Sequence, residues 1–369
     1  MIRKRNTHIF FKLKKPVLTM IDNGANSHGQ LGQGLFSEVC SCPTEVNLYN
    51  STLRANDIVK IAGGGGHVLI LTLNGDVYSC GWNNKRQTGL PSTEDTTIFQ
   101  QIPNLKLISD IACGWSSSAA IKMYNELYIW GSNIYKKLFT LPNEENICQP
   151  YVATQLDVKK AKMGVQHAAI VYTNKESCLI NNSWSNQQSN GLKILKDVIN
   201  VSCGERFTIF KDISGNVYGY GDNRYCQLGI GTNNQTVDCI QIPIDSPDKI
   251  YTGWTHTAVL KDGSIYAWGR NTYGQVDASM NKDIQETPYK VCFPERIKRL
   301  AVGAAHNVAL TESGKVLCWG WNEHGICGFS EDKKMVSPLE AYLKPVLSNA
   351  ILVGAGAGFS FALVRVNGR

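Results

Sequence analysis

The 369-residue sequence predicts an all-β protein, a seven-bladed β-propeller closed by pairing of its N- and C-terminal segments. Three observations lead there. An apolar run followed by Gly, two further residues and often His recurs seven times. A turn motif, Gly-x-Asn, recurs six times at a nearly fixed distance from it. Between them the chain alternates at period two, as in Val308-Ala309-Leu310 followed by Gly314-Lys315-Val316-Leu317-Cys318-Trp319. Such alternation reads as half-buried strands.

The first motif stands as GGGH at 64, GWSS at 114, GVQH at 164, GERF at 204, GWTH at 253, GAAH at 303 and GAGF at 356, at intervals of 50, 50, 40, 49, 50 and 53 residues. A period near fifty marks a radial array of repeats. Four short strands per unit around an axis leave few exposed edges. No stretch shows a sustained helical period. One propeller domain is therefore expected over residues 17–369, lengthened by repetition and not by new cores, behind a basic, disordered tail at 1–16.

The turn motif appears as NGANSHGQLG from Asn23, CGWNNKRQTG from Cys80, WGSNIYKKLF from Trp130, YGDNRYCQLG from Tyr220, WGRNTYGQVD from Trp268 and WGWNEHGICG from Trp319. Gly opens backbone conformations closed to other residues, and Asn can bond its own backbone two residues on. Leu31 and Leu228 in the Gln-Leu-Gly that follows are expected to tuck under the turn. The last copy offers Glu323, His324 and Cys327, residue types that hold zinc. At the place of His324, however, stand His28, Lys85, Tyr135, Tyr225 and Tyr273, and at that of Cys327 stand Leu31, Thr88, Leu138, Leu228 and Val276. The stretch reads as a turn, and no metal is expected.

The chain ends divide one unit between them. Residues 351–364 carry the first motif alone and residues 17–34 the second alone, which a ring closed by its termini requires. Met20-Ile21-Asp22 stands where Tyr-x-Trp would be expected, so the N-terminal boundary stays open. The third unit, 159–190, reads LINNSWSNQQSNG in place of a turn motif, as a worn or a specialised blade would.

Six of the seven excess positive charges lie in the tail, on Arg3, Lys4, Arg5, Lys12, Lys14 and Lys15. The propeller is then nearly neutral, and the broad basic face of a nucleic-acid binder is not indicated. A mitochondrial presequence is the alternative reading of the tail, while Ile9-Phe10-Phe11 is too short for a secretory signal. No apolar run approaches the roughly 18 residues of a membrane helix. Twelve Cys without a secretory signal point to a reducing compartment, cytoplasmic and compatible with the nucleus. Cys80, Cys113, Cys203 and Cys318 fall on repeat positions and read as packing residues, and Cys40 and Cys42 as free thiols in a loop.

No bond-making or bond-breaking site emerges, and no cofactor is expected. Gly63 to Gly66 lack the Lys-Ser/Thr of a phosphate loop and read as close packing near the axis. His67, His167, His256 and His306 share one repeat place, which argues for structural hydrogen bonding.

Gly-x-x-His with an aliphatic residue four on, then Tyr-x-Trp-Gly-x-Asn-x-x-Gly-Gln-Leu-Gly, resembles the regulator of chromosome condensation repeat family from about residue 17 to 364. Within it, AGGGGH at 62–67, ACGWS at 112–116, TGWTH at 252–256, GWNEHGICG at 320–328 and ILVGAGAG at 351–358 look like a branch connected with secretion. That resemblance implies a guanine nucleotide exchange factor or regulator of a small GTPase, partnered with that GTPase and with secretory machinery, acting as a monomer. A non-catalytic interaction scaffold is the alternative, and a chromatin-associated exchange factor the third reading. The protruding wedge that engages the GTPase in the chromatin-associated member has no long counterpart in this chain. Partner recognition is expected where the copies differ. Trp115, Trp254 and Trp321 would be apolar anchors, with Glu205, Arg206, Asp222 and Glu323 beside them. These positions are expected to form two rims, one at each end of the strands.

Overall fold

Each strand pairs with its sequence neighbour, so the period-two segments assemble as meanders. The computed structural model describes residues 17–133, 145–154, 157–180, 192–193 and 195–366. The tail at 1–16, the second half of WGSNIYKKLF and most of LINNSWSNQQSNG lie outside the described residues. Seven four-stranded antiparallel sheets are present among the described residues. Six follow chain order, over 58–101, 108–154, 158–193, 198–242, 249–291 and 297–336. The blade at 58–101 is typical, with strands Ile58–Gly63, His67–Thr72, Val77–Gly81 and Thr96–Gln101 running from axis to rim. The third unit keeps four strands, although its outermost, Leu192–Lys193, is two residues long.

The seventh sheet joins the two chain ends. Val17–Asn26 lies antiparallel to Phe359–Val366, in register from Val17 opposite Val366 to Gly24 opposite Phe359. Met20 is fully buried there, so the Met-Ile-Asp stretch is blade core. The innermost strands adjoin one another around the axis, and that of the last blade, Ala350–Ala355, lies beside Ile58–Gly63 of the first. The architecture is a seven-bladed β-propeller.

Both motifs have a packing cause. A Cβ on Gly64 would stand 2.3 Å from Cε1 of His67, and one on Gly253 or Gly303 would meet His256 or His306 at 2.1 or 2.0 Å. The ring of the fourth residue folds back over the Gly, and Phe207 over Gly204 or Phe359 over Gly356 does the same at 2.0 Å. Gly63 would meet Gly356 Cα at 2.4 Å and Gly65 the Trp115 ring at 2.7 Å, so the glycine run is close packing at the axis.

The histidines stitch blades together. His256 Nε2 bonds Asn307 Oδ1 of the next blade at 3.2 Å, and Asn307 Nδ2 donates back to the Gln275 carbonyl at 2.7 Å. His67 with Ser118 (2.8 Å), His167 with Thr208 (2.7 Å) and His306 with Ser360 (3.2 Å) repeat the first step. Trp130 and Trp268, both fully buried, add Nε1 bonds to the carbonyls of Gln87 and Gln227.

The Asn of the turn motif reaches further than two residues. Oδ1 of Asn26, Asn83, Asn223, Asn271 and Asn322 accepts from the backbone N–H five positions on. Their Nδ2 groups donate to carbonyls still further along, such as Thr232 and Lys282. The loop to the outer strand closes around one buried amide, and the residue at the fifth position, Leu31, Leu228, Val276 or Cys327, is fully buried beneath it.

One further element and one correction remain. Pro338–Leu343 is a helix, started by a capping box between Ser337 and Glu340, that follows the two-residue outer strand Met335–Val336. Cys40 and Cys42 lie in the strand Ser37–Glu45 and not in a loop. Among the described residues no cysteine forms a disulfide.

Candidate functional site

Hairpin geometry puts both sets of repeat-variable residues at one end of the propeller. The repeat His or its equivalent pairs directly with the Gly of Gly-x-Asn: His67 with Gly81, Ser117 with Gly131, Phe207 with Gly221, His256 with Gly269 and His306 with Gly320. Residues just before the first and just after the second must therefore meet. The expected two rims are one face, because successive strands are antiparallel and both connections turn at the same end.

At its centre the residues after each repeat Gly join by backbone bonds. Gly65 N donates to the Trp115 carbonyl (2.9 Å), Glu205 N to Trp254 (3.0 Å), Trp254 N to Ala304 (3.0 Å) and Ala304 N to Ala357 (3.1 Å). This ring brings Trp115 and Trp254 together across the axis, with ring centroids 5.2 Å apart at 60°. Trp82 meets Trp115 edge-on at 6.5 Å, and His28 stacks on Trp82 at 5.1 Å. Trp254 is 38% exposed, which is high for the largest apolar side chain and leaves it available to a partner.

A second aromatic group continues the face. Trp321 lies against Tyr273 at 6.0 Å and His324 at 6.3 Å, and the Arg270 guanidinium sits over the rings of Tyr225 (4.9 Å) and Tyr273 (5.3 Å). His28, Trp82, Tyr225, Arg270 and Tyr273 were not singled out from sequence as partner residues. Their common signal is position: each fills the x of Gly-x-Asn or the second place after the Asn.

The acids are less uniform than expected. Glu323 is exposed in the turn Glu323–Gly325. Asp222 is buried and its carboxylate is held by Arg224, with Oδ2 2.7 Å from Nη2 and Oδ1 2.9 Å from Nε. It is therefore not an available acid, because the guanidinium two residues on folds back over it. Glu205 is half-buried beside the axis and Arg206 follows it, its carbonyl accepting from Asp222 N at 2.9 Å. Glu205, Arg206, Asp222 and Arg224 thus form a charge-balanced group next to Trp254, and Glu205 and Glu323 are not equivalent sites.

WGWNEHGICG is a turn of the same kind. Cys327 is fully buried, its thiol donates to the Trp321 carbonyl at 3.4 Å, and burial pushes its pKa well up, the reverse of a thiolate ligand. Among the described residues no three of His, Cys, Asp and Glu gather. Burial also raises Cys113 to about 12.

The RCC1-like domain family matches residues 19–362. Arabidopsis thaliana ultraviolet-B receptor UVR8 is 29% identical over 86% of this chain and 77% of its own length. The Mus musculus secretion-regulating guanine nucleotide exchange factor is 26% identical over 93% of this chain and 83% of its own. Saccharomyces cerevisiae Prp20p, described with its binding to Gsp1p and histones, superposes with a TM-score of 0.80 at 20% identity, over 96% of this chain and 93% of that one. With the family match spanning nearly every blade, the chain belongs to the RCC1-like domain family.

Proposed function

We propose that the tryptophan-bearing face binds a small GTPase and promotes release of its nucleotide, in connection with secretion. The observation that carries this reading is the juxtaposition of exposed Trp254 with Trp115 at the axis, beside the charged group of Glu205, Arg206, Asp222 and Arg224. Large aromatics and arginines dominate binding energy at protein interfaces. The similarity to the mouse exchange factor, which extends over 93% of this chain, supplies the partner class. An exchange factor makes no bond. It binds the nucleotide-free GTPase more tightly than the loaded one, and by linkage weakens nucleotide affinity by the same factor.

A scaffold without exchange activity is the second reading, favoured by the engagement of Asp222 with Arg224, which leaves Glu323 as the most exposed acid of the proposed set. The cytoplasm is the compartment proposed for either reading. Binding of secretory-pathway GTPases in nucleotide-free and loaded form separates the two. Exchange requires preference for the nucleotide-free state, whereas a scaffold binds a loaded state or shows no preference. Trp254→Ala is expected to weaken binding by about 2 kcal/mol or more and Glu323→Lys by less, with thermal unfolding of both close to wild type. Unchanged affinity in both variants would move the interface off this face.

A further inference from the structure

Counting four residues back from each repeat Gly reaches one level on every innermost strand. Lys60, Lys160, Lys249 and Arg299 stand there in four blades, and Asp110, Asn200 and Leu352 in the other three. Two residues nearer the Gly, on the same face of the strand, Lys162 is the one charged residue at its level. Lys60, Lys162, Lys249 and Arg299 line a cavity of about 380 Å³ at the end of the channel opposite the tryptophan face, and none of the described residues lining it is acidic. Lys60 pairs with Asp110 and donates to the Ile111 carbonyl at 2.8 Å, while Lys160 Nζ reaches Asn200 Oδ1 at 3.3 Å. Among the described residues Asp110 is the carboxylate that bears on Lys60, Lys160 and Lys162. The charge of Lys60 and then burial lower Lys162 to about 8. Like charges held together in a partly desolvated channel destabilise the empty protein.

We propose that this channel mouth binds a compact polyphosphorylated anion. The cations surround the axis at one level with Lys162 beneath them, which suits a ligand bearing charge in several directions. Ser202 and Tyr251 add hydroxyl groups to the lining. Lysine ammoniums bind phosphate as point charges. The volume falls in the range of small-molecule sites. At the other end of the axis the repeat glycines, Trp115 and Trp254 line a smaller cavity of about 110 Å³. Net charge concealed this site: the propeller is nearly neutral overall, and the cations converge only when the repeat is wound into a ring.

Isothermal titration calorimetry of the full chain at about 0.15 M salt, with inositol hexakisphosphate and inorganic tripolyphosphate as probes, tests the proposal. Orthophosphate, a poly-glutamate peptide and single-stranded DNA serve as comparisons. The expected result is one saturable site for at least one polyphosphate, weakened about tenfold by Lys162→Met and less by Lys249→Gln, and unchanged by Lys334→Gln outside the channel. Affinity should fall as pH rises through about 8, as Lys162 loses its proton among Lys60, Lys160, Asp110 and Cys203. If Lys162→Met does not unfold cooperatively, Lys249→Gln at the exposed mouth carries the test. No saturable site, equal affinity in all variants, or preference for the peptide or DNA would overturn it.

Discussion

His256 and His306 are held neutral by the blade interior. Burial lowers His256 to about 4, against a partial rescue by Asn307, and burial with the neighbouring His256 charge lowers His306 to about 3. Between the unfolded value near 6.5 and these folded values the unfolded chain binds more protons, so stability falls as pH drops. Above about pH 7 these two groups should contribute a flat profile. Denaturant titrations from pH 7.5 to 4.5 are expected to show a falling midpoint, shallower in His306→Phe, since Phe207 and Phe359 show that a phenyl ring fits this place. A profile independent of pH would contradict the neutral assignment. The relay beyond the ring is testable separately. Asn307→Leu strands both His256 Nε2–H and the Gln275 carbonyl and should cost about 2–4 kcal/mol, read as a lower unfolding midpoint. At this scale the repeat made much legible: the shared histidine place, the buried Leu31 and Leu228, and Cys327 as their equivalent. The fold-back of Arg224 onto Asp222 was not, because a pair two residues apart in a turn depends on backbone direction and not on residue type.

At the scale of strands and turns, alternation and the two motifs were enough to mark the inner three strands of each blade. The outer strand was less legible because its length varies, from Ile284–Val291 in one blade to Met335–Val336 in the next, where a capped helix follows. The helix itself carried a readable signal, Ser337 three before Glu340 with Pro338 between, but six residues are too few to show a period. Placing the variable residues on two rims failed for a reason internal to antiparallel pairing. A residue before the second strand and one after the third share an end, as His67 opposite Gly81 fixes. That correction strengthens the candidate face, since Trp115, Trp254 and Trp321 now look the same way as Trp82 and Tyr273. The basic channel level was legible in principle at a fixed offset from the repeat Gly, but only after the innermost strand was known to line the axis.

At the scale of the whole molecule, the division of one blade between the chain ends is expected to make folding all-or-none. Removing residues 351–369 deletes nearly all of Ala350–Ala355 and the whole of Phe359–Val366, leaving Val17–Asn26 without its inner partner and the first and sixth blades each without the neighbour on one side. The truncated chain is expected to lose its cooperative thermal transition, and a transition unchanged from that of the full chain would show that the ring does not depend on its closing blade. A closed ring also keeps the tryptophan face rigid, because its centre is pinned by inter-blade backbone bonds rather than by loops. The most direct measurement is the release of a fluorescent guanine nucleotide from a panel of secretory-pathway GTPases, with the full chain and with Trp254→Ala. Accelerated release from one GTPase by the full chain, and much less by the variant, is the predicted result. Release at the intrinsic rate from every GTPase bound would contradict exchange activity, and absence of binding to all of them would contradict the assignment of this face.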